Sequence, residues 1–440
     1  MRNMVFGFFL FAVFCLAVFY HLRSQPGEGV GGVDLSGYNV ILLSVETTRA
    51  DHLGLYGYGR PTTPFLDEYG GGCLVFEGAY AQAPWTRTSM ASVVTSRYPR
   101  RHGVLTESPR HRLDEGFTTL AEVFSGNNYS TAAYIGHANL KSEFGFSQGF
   151  DVYVELINRR ADVLLDSALS WINEAEDPFF VWIHLVDPHE TYDPPKEYLR
   201  LFVESETEIK PHHTTRPYLE GLAGGGDLTS QQLNHLIGLY DGELCYVDDA
   251  VKRFISNLPE GVLDDSIVVV TADHGEEFMD HGGLLHGHSL YNELIHVPLL
   301  LCADGIEPGR RGGRVELIDV YPTLVGLTGL SGGDWGLEGD SLLDEGGGVV
   351  YSESDFRGHH LSAFFAGEVK VIHDWSSNET RLFNLSADPL EGDPRNLTAP
   401  ERRRYLDYIG GYRSNPHVSG DKSPVSGEAI EQLRQSGYLR

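Results

Sequence analysis

A threonine hydroxyl at the predicted start of a helix is the first candidate for chemistry in this sequence. Thr86 lies in the stretch Ala83–Arg97, where Pro84 disfavours helix before it and the apolar pair Val93 and Val94 indicates a buried helix after it. Unpaired backbone N–H groups and the positive end of the helix dipole favour an anionic group beside this hydroxyl. Threonine is also a common N-cap residue, so the position alone leaves a structural role open.

Carboxylate and imidazole side chains follow two other predicted strands at the point where each strand ends. Glu46 follows one long apolar run, and Asp273 and His274 follow another. Ligands of open α/β sheets gather at the carboxyl ends of the strands, so we expect these side chains to lie near Thr86. A hard or borderline divalent cation suits this set of donors, and its coordination would make the Thr86 hydroxyl a nucleophile. The ion can be Mn, Zn, Ca or Mg, and the number of ions is open.

Histidines cluster in two further loops. One stretch around a Pro turn contains His184 and His189, and a second stretch, soon after Asp273, contains His286 and His288. We predict that His189, His286 and His288 bind a tetrahedral anion or protonate its leaving oxygen. With 19 histidines in the chain, part of this clustering is expected by chance.

The elements that must position these residues alternate between apolar strands and amphipathic helices. This alternation predicts an α/β fold, a three-layer sandwich with a mainly parallel central sheet covered by helices on both faces. The predicted strands are residues 38–46, 74–81, 130–135, 179–186, 266–272 and 297–302. The predicted helices, besides the one after Thr86, are residues 63–69, 118–124, 161–175, 231–257 and 319–328. The segment 204–226 is predicted to be a loop that covers a site.

A change of composition near Gly329 predicts a second, smaller unit. Short strand candidates at 349–352, 361–365, 369–373 and 381–385 indicate a small C-terminal α+β subdomain with an antiparallel sheet. The predicted domains are a catalytic domain over 38–328, a C-terminal subdomain over 329–415, and a tail over 416–440 with a short helix at 428–434. Residues 25–37 are predicted to be a Gly-rich linker.

The N-terminal residues predict attachment to a membrane. Residues 4–20 form an uninterrupted apolar run after Arg2, long enough for a bilayer span, and no small-residue cleavage pattern follows. We expect residues 1–24 to anchor the protein in the membrane, with the catalytic domain outside the cytoplasm. The alternative is a signal sequence on a secreted protein.

Charge and cysteine content limit the partners and the covalent framework. The formal net charge is −29, with 62 acidic and 33 basic residues, so nucleic acid is not an expected partner because its phosphates would be repelled. Of the four cysteines, Cys73, Cys245 and Cys302 lie outside the N-terminal apolar run. Their odd number and wide spacing predict buried free thiols instead of a disulfide framework or a zinc knuckle.

Taken in chain order, the motifs resemble the sulfatase family of the alkaline-phosphatase superfamily. The resemblance spans roughly residues 38–397. Its matching stretches are Asn39–Tyr58, Ala83–Gly103, Asp187–Tyr192, Thr271–Glu277, His286–Pro298 and Leu382–Pro389. It implies a metal-dependent enzyme that acts on ester bonds. Arg49 and Arg97 match positions that are frequent in the family, and we interpret both as residues that support the site or the structure. His137 stands where the family often has a lysine in the site.

The nucleophile position departs from the sulfatase pattern. Sulfatases carry Cys or Ser in a Cys/Ser-x-Pro-x-Arg signature and oxidise it to formylglycine, whereas this chain has Thr86, Thr88 and Met90 at the three defining positions. A threonine cannot yield that aldehyde because its β-carbon already bears a methyl group.

The metal ligands implied by the resemblance depart from the sulfatase pattern as well. Glu46 replaces the usual first Asp, Thr47 replaces the second, and His274 stands where Asn is usual after Asp273. The resulting set of Glu46, Thr86, Asp273 and His274 is similar to that of the phosphoethanolamine and phosphoglycerol transferases of the superfamily, which form a phosphothreonine intermediate.

These features predict a metal-dependent, sulfatase-like hydrolase or transferase that cleaves a phosphodiester or phosphonate ester through Thr86. The expected substrate is a small-molecule, lipid or glycan ester. Sulfuric ester hydrolysis is one alternative, although a sulfated threonine has no release route comparable to hemiacetal collapse. A non-catalytic binding protein is the other, and the retained Glu46, Asp273 and His274 speak against it.

Overall fold

The protein is built from one large sheet, a smaller second sheet and the helices that cover them. The computed structural model describes residues 33–203, 207–225, 228–330, 335–344, 348–414 and 426–435. The strands are β1 (Asn39–Val45), β2 (Leu74–Tyr80), β3 (Ser130–Ile135), β4 (Val152–Glu155), β5 (Phe179–Leu185), β6 (Ser266–Ala272), β7 (Glu277–Phe278), β8 (Leu284–Leu285), β9 (His296–Val297), β10 (Leu299–Cys302), β11 (Gly309–Glu316), β12 (Val350–Ser354), β13 (Leu361–Ala366), β14 (Val369–Asp374) and β15 (Glu379–Asn384). The helices are α1 (Pro64–Tyr69), α2 (Thr86–Thr95), α3 (Pro99–His102), α4 (Leu120–Gly126), α5 (Ala161–Ile172), α6 (Lys196–Phe202), α7 (Arg216–Gly225), α8 (Ser230–Ser256), α9 (Asn292–Ile295), α10 (Val320–Leu327), α11 (Ala399–Arg413) and α12 (Gly427–Gln435).

The large sheet is mainly parallel, which confirms the predicted fold class. Its strand order is β11-β2-β10-β6-β1-β5-β3-β4, and β9 pairs with β2. Strands β9 and β10 run antiparallel to their neighbours, and the other pairs are parallel. The two outermost strands were not predicted, because β4 is only four residues long and β11 is rich in Gly and Arg and carries no apolar run.

Side chains of the central strands alternate between two separate hydrophobic cores, one on each face of the sheet. On β1, Val40 and Leu42 pack into the first core, whereas Ile41 and Leu43 pack into the second. Helices α2, α4 and α10 contribute to the first core, and α1, α5 and α8 contribute to the second. This arrangement is the predicted three-layer sandwich.

The second sheet is a four-stranded antiparallel meander of β12, β13, β14 and β15, as the sequence predicted. Helix α11, which was not predicted, packs against it through Ile409, which joins Tyr351 and Phe364 in a small apolar cluster. The helix is highly charged, so its sequence shows only a narrow apolar side. The proposed boundaries of the domains stay predictions.

The segment 204–226 was predicted as a loop, and this prediction is wrong for its second half. Helix α7 occupies Arg216–Gly225, with Leu219 buried in an apolar cluster that also contains Tyr192 and Leu284. Several glycines in the segment made this helix hard to predict from the sequence, because glycine has a low helix propensity. Tertiary packing of Leu219 overrides that preference.

The cysteine prediction is corrected for two of the three residues. Cys73 and Cys302 form a disulfide, with their Cα atoms 4.4 Å apart. The bond is possible because β2 and β10 are antiparallel neighbours, with Leu74 opposite Leu301. The two cysteines are 229 residues apart in sequence, so their spacing gives no sign of this pairing. Cys245 is a buried free thiol, as expected.

The predicted membrane anchor, residues 1–24, lies outside the described residues. Within the described ranges, no helix combines the length and the hydrophobicity that a bilayer crossing requires. The prediction of a membrane-anchored protein, with the membrane as a partner, is corrected on this finding.

Candidate active site

The register of the central strands brings polar residues to one edge of the sheet. Val45 of β1 pairs with Ala272 of β6, so the residues that follow them, Glu46 and Asp273, leave the sheet at the same level. Strand β5 ends beside them, because Val45 also pairs with Leu185. The strand-end positions selected from the sequence therefore meet, as the sheet topology requires.

The Thr86 hydroxyl is directed at the carboxylate of Glu46. Thr86 is the first residue of α2, and the N-cap is Trp85, so the hydroxyl does not cap the helix. Its Oγ1 donates to Glu46 Oε1 at 2.7 Å and lies 3.4 Å from His274 Nε2. The Thr86 side chain is completely buried. A capping role therefore does not account for this geometry.

Local hydrogen bonds orient Asp273 and His274 towards the same point. Asp273 Oδ1 accepts from the backbone N–H groups of Thr47 and His274, at 3.1 and 2.9 Å. His274 Nδ1 lies 2.8 Å from the carbonyl oxygen of Gly275 and therefore donates to it. The other ring nitrogen, Nε2, then carries the lone pair, and it lies 3.4 Å from Asp273 Oδ2. This is the tautomer that a metal ligand requires.

Glu46, Asp273 and His274 fit a divalent cation. One ligand atom from each lies within 4.8 Å of the others. In the described part of the chain, Glu46 Oε2 and Asp273 Oδ2 accept no hydrogen bond although they are buried. Burial raises the pKa of Glu46 well above its ordinary value, against the effect of His189 and of the Thr86 hydrogen bond. A cation beside these oxygens would satisfy them and favour their charged forms.

Two further groups of three side chains meet the same distance criterion. They are Glu46 with His137 and His189, and His189 with Glu190 and His286. Because Glu46 and His189 each belong to two groups, the groups form one continuous cluster. The number of ions that the cluster holds therefore stays open.

Four imidazole rings lie side by side next to Glu46 and Thr86. The ring centroids of His137 and His189 are 5.0 Å apart, those of His189 and His286 are 5.2 Å apart, and those of His286 and His274 are 4.4 Å apart. His137 Nδ1 lies 3.4 Å from Glu46 Oε1. The structure thus brings together His189, His286 and His137, the residue in the position of the family lysine.

His184 supports Glu46 from the end of β5. Its Nε2 lies 3.4 Å from Glu46 Oε2, and its Nδ1 lies 2.8 Å from the hydroxyl of Ser44. The same hydroxyl accepts from the indole N–H of Trp182 at 3.0 Å. Burial lowers the pKa of His184 to about 4, so the ring is neutral at physiological pH.

Arg216, at the start of α7, connects the histidines to a carboxylate and was missed by sequence analysis. Its Nε lies 2.6 Å from Glu190 Oε1, and its Nη2 donates to His286 Nε2 at 2.8 Å. His286 Nδ1 lies 3.1 Å from Glu276 Oε1. Burial lowers the pKa of His286 well below its ordinary value, and the positive charge of Arg216 adds to this effect. His286 is therefore a neutral ring with a fixed tautomer.

Three other residues named from the sequence lie elsewhere. His288 Nε2 is 2.6 Å from Glu277 Oε2, so its ion-pair partner is not one of the side chains next to Thr86. Arg49 makes ion pairs with Asp51 and Asp280, both at 2.8 Å. Arg97 donates to the carbonyl oxygen of Trp335 at 3.0 Å. The contacts of both arginines are structural, as expected.

Fold and site together define an ester-hydrolysing enzyme of the alkaline-phosphatase type, in which a buried hydroxyl lies among side chains that could hold a metal ion, at the carboxyl edge of a parallel sheet. The model of the Sulfatase family matches residues 38–330, and the chain belongs to the sulfatase family. Members of this family typically use a divalent metal, and the groups around Glu46 could hold one.

Individual relatives are distant but cover most of the chain. The chain is 23% identical over 460 residues to an arylsulfatase of Clostridium perfringens. The aligned region covers 84% of this chain and 92% of that relative. Its fold is similar to that of a phosphonate monoester hydrolase of Agrobacterium radiobacter, with a TM-score of 0.70, 19% identity, and coverage of 86% of this chain and 95% of the other. It is also similar to a 2-O GAG sulfatase, with a TM-score of 0.72, 19% identity, and coverage of 88% and 95%.

Proposed function

We propose that this protein is a metal-dependent hydrolase or transferase of phosphorus esters, either phosphodiesters or phosphonate monoesters, with Thr86 as its nucleophile. The observation that carries the proposal is the 2.7 Å hydrogen bond from the Thr86 hydroxyl to Glu46, beside His274 and Asp273. A threonine cannot form the formylglycine of sulfatases, so the chemistry must use the hydroxyl itself. A phosphorylated threonine can be hydrolysed through attack at phosphorus.

Glu46, Thr86, Asp273 and His274 would hold the divalent ion in this proposal. Bound there, the ion would lower the pKa of the Thr86 hydroxyl and stabilise charge on the ester oxygens. The donor set of oxygens and one imidazole nitrogen accommodates Mn, Zn, Ca or Mg.

The side chains supply the remaining parts of the reaction. The Thr86 proton passes to Glu46 Oε1, which already accepts a hydrogen bond from the hydroxyl. Thr86 Oγ1 then forms a bond to phosphorus while the bond from phosphorus to the leaving oxygen breaks. His189, oriented by the contacts of its two nitrogens with Glu190, donates a proton to the leaving oxygen. Water or another alcohol then attacks phosphorus and gives its proton to His189, while the bond from phosphorus to Thr86 Oγ1 breaks and Oγ1 takes back the proton from Glu46. This step releases the phosphoryl product and restores Thr86, Glu46 and His189.

His286 has a positioning role in this scheme. Both of its nitrogens are engaged, with Arg216 at 2.8 Å and Glu276 at 3.1 Å. Its ring lies 4.4 Å from that of His274, so it holds that residue in place. His288, whose Nε2 contacts Glu277, takes no step here.

The experiment is a comparison of the metal-loaded enzyme with its Thr86→Ala variant on three aryl esters that share one leaving group: a phosphodiester, a phosphonate monoester and a sulfate. We expect the phosphorus esters to be cleaved faster than the sulfate, and Thr86→Ala to lose at least about 10⁴-fold in rate. Undiminished turnover in Thr86→Ala would remove the assignment of the nucleophile.

Sulfuric ester hydrolysis is the second candidate, supported by the family itself and by the arylsulfatase among the relatives. The aryl sulfate in the same comparison decides between the two. Faster cleavage of the sulfate than of both phosphorus esters would favour this candidate.

A further inference from the structure

Helix α12, near the C-terminus of the chain, packs against the segment that follows His137. The helix contacts the short turn Ala138–Leu140, and Leu433 of α12 is completely buried in the first core, to which Ala138 and Leu140 also belong. A helix of nine residues is marginal in water without tertiary contacts. The burial of Leu433 therefore holds α12 on the domain.

Two polar contacts add to this apolar one. The backbone N–H and the hydroxyl of Ser426, just before α12, both donate to the carboxylate of Glu143. Gln432 Oε1, within the helix, accepts from the buried ammonium of Lys141 at 2.8 Å. All of these contacts fall on one short segment, residues 138–143, so α12 and this segment are coupled in position.

Arg87 holds the same segment from helix α2. It directly follows Thr86, and its Nη2 donates to Asn139 Oδ1 at 2.8 Å. Its guanidinium lies over the ring of Phe144, at 3.8 Å from the centroid. Asn139 and Phe144 are both completely buried. The segment is thus held by the helix of the candidate nucleophile and by the C-terminal helix.

The backbone of His137 is tied to this segment. The N–H of Leu140 donates to the carbonyl oxygen of His137 at 3.1 Å, so a shift of Leu140 displaces His137. The imidazole Nδ1 of His137 lies 3.4 Å from Glu46 Oε1, the oxygen to which Thr86 donates at 2.7 Å. The position of this imidazole therefore depends on the packing that buries Leu433.

Burial makes Glu46 sensitive to the position of His137. Both residues are buried, with His137 1% exposed and Glu46 completely enclosed. In such surroundings the effective dielectric constant is low, so a small movement of a neighbouring polar group changes its interaction with a carboxylate strongly. Displacement of the imidazole would therefore alter how readily Glu46 accepts a proton.

We propose that Leu433 is a positioning residue of the active site: through the segment 138–144, the docked helix α12 keeps the imidazole of His137 against Glu46. This inference rests on the proposed function, in which Glu46 takes the proton of Thr86. It gives the C-terminal part of the chain a role in the reaction.

Modification of His137 by diethyl pyrocarbonate tests the inference without any turnover. Peptide mass spectrometry of the full-length protein measures the rate at each histidine. We expect His137 to react at least about tenfold faster in Leu433→Ala than in the wild-type protein, because local opening of α12 exposes the ring. Leu433→Met, of similar volume, is expected to react as slowly as the wild type. Equal rates at His137 in Leu433→Ala and the wild type overturn the inference.

Leu327→Ala is the matched control. Leu327 is equally buried in the same core, but its carbonyl oxygen accepts from Leu35, ahead of β1, at the amino end of the sheet. We expect this variant to lose stability, as truncation of a buried leucine does, while the rate at His137 stays unchanged. An equal acceleration at His137 in Leu327→Ala would show general loosening of the core and would overturn the inference.

A double-mutant cycle on kcat measures whether Leu433 acts through His137. The substrate is whichever of the three aryl esters the wild-type enzyme cleaves fastest, so the cycle does not depend on a preference for phosphorus. We expect Leu433→Ala to lower kcat at least about tenfold in the wild-type background and less than about twofold in the His137→Ala background. Equal factors in the two backgrounds overturn the inference and leave the proposed function intact.

Failure of the proposed function gives a different result. Undiminished turnover by Thr86→Ala removes the nucleophile but does not change the rates at which His137 is modified. Faster modification of His137 in Leu433→Ala then still supports the positioning of this imidazole by α12.

Discussion

Arg216 donates from Nη2 to His286 Nε2 at 2.8 Å, and this contact joins helix α7 to the histidines near Thr86. The same guanidinium holds Glu190 through Nε at 2.6 Å. Because Glu190 in turn contacts His189, the position of one arginine determines the orientation of two imidazoles.

Replacement of Arg216 by lysine is expected to lower kcat about 10- to 100-fold. A single ammonium group cannot hold both Glu190 and His286 in the positions that the planar guanidinium gives them. Steady-state kinetics measures the effect. A thermal unfolding curve close to that of the wild-type protein excludes a general loss of structure. Unchanged kcat would show that this ion pair does not position the histidines.

Replacement of Asp273 by asparagine is expected to lower the affinity for the divalent ion at least about tenfold, because one anionic ligand is lost. Elemental analysis after dialysis against a series of metal concentrations measures the affinity. Asp264→Asn, on the exposed surface, is the control. Equal metal content of the three proteins at every concentration would contradict the assigned ligands.

Removal of the Cys73–Cys302 bond is expected to lower the free energy of unfolding by about 2 to 5 kcal/mol, because it closes a long loop. Denaturant titration of Cys73→Ser measures this change, and Cys245→Ala, at a buried free thiol, is the comparison. Peptide mapping provides the direct check. An alkylating reagent that labels Cys73 and Cys302 without prior reduction would disprove the bond.

Glu353 contributes to the pH dependence of stability. It forms ion pairs with Arg100 at 2.9 Å and with Arg413 at 3.3 Å. Burial raises the pKa of Glu353 to about 7, against the two arginines, from an ordinary value of 4.5. Between these values the folded state binds a proton that the unfolded state does not. The contribution of Glu353 to stability therefore falls as pH rises through this window.

Glu353→Gln removes that contribution. The free energy of unfolding of the variant, minus that of the wild-type protein, is expected to rise by up to roughly 3 kcal/mol between pH 4.5 and pH 8. Denaturant titrations over this range measure the difference. A difference that falls with pH would show that the ion pairs with Arg100 and Arg413 outweigh burial.

The parts of the site that could be predicted from the sequence are those that follow directly from strand ends. Glu46 and Asp273 end long apolar runs, and the register of a parallel sheet brings such positions together. Thr86 was identified in the same way, from a strand followed by a helix. The sheet and its two helical layers were predictable for the same reason, because buried strands and amphipathic helices leave clear patterns.

The parts that could not be predicted depend on tertiary packing. Arg216 lies on helix α7, whose glycines made the helix hard to predict. Its contact with Glu190 forms only when the folded chain brings α7 close to that residue. The Cys73–Cys302 bond depends on the pairing of β2 with β10, which the sequence does not show.

The central claim is that the Thr86 hydroxyl becomes covalently bonded to the substrate. The metal-loaded enzyme is mixed with para-nitrophenyl phenylphosphonate, quenched in acid within one turnover and digested, and the peptides are analysed by mass spectrometry. We predict a phenylphosphonyl group on Thr86 in the wild-type protein and in Thr88→Ala, and none in Thr86→Ala. A modified residue other than Thr86, or full turnover by Thr86→Ala, would contradict the account.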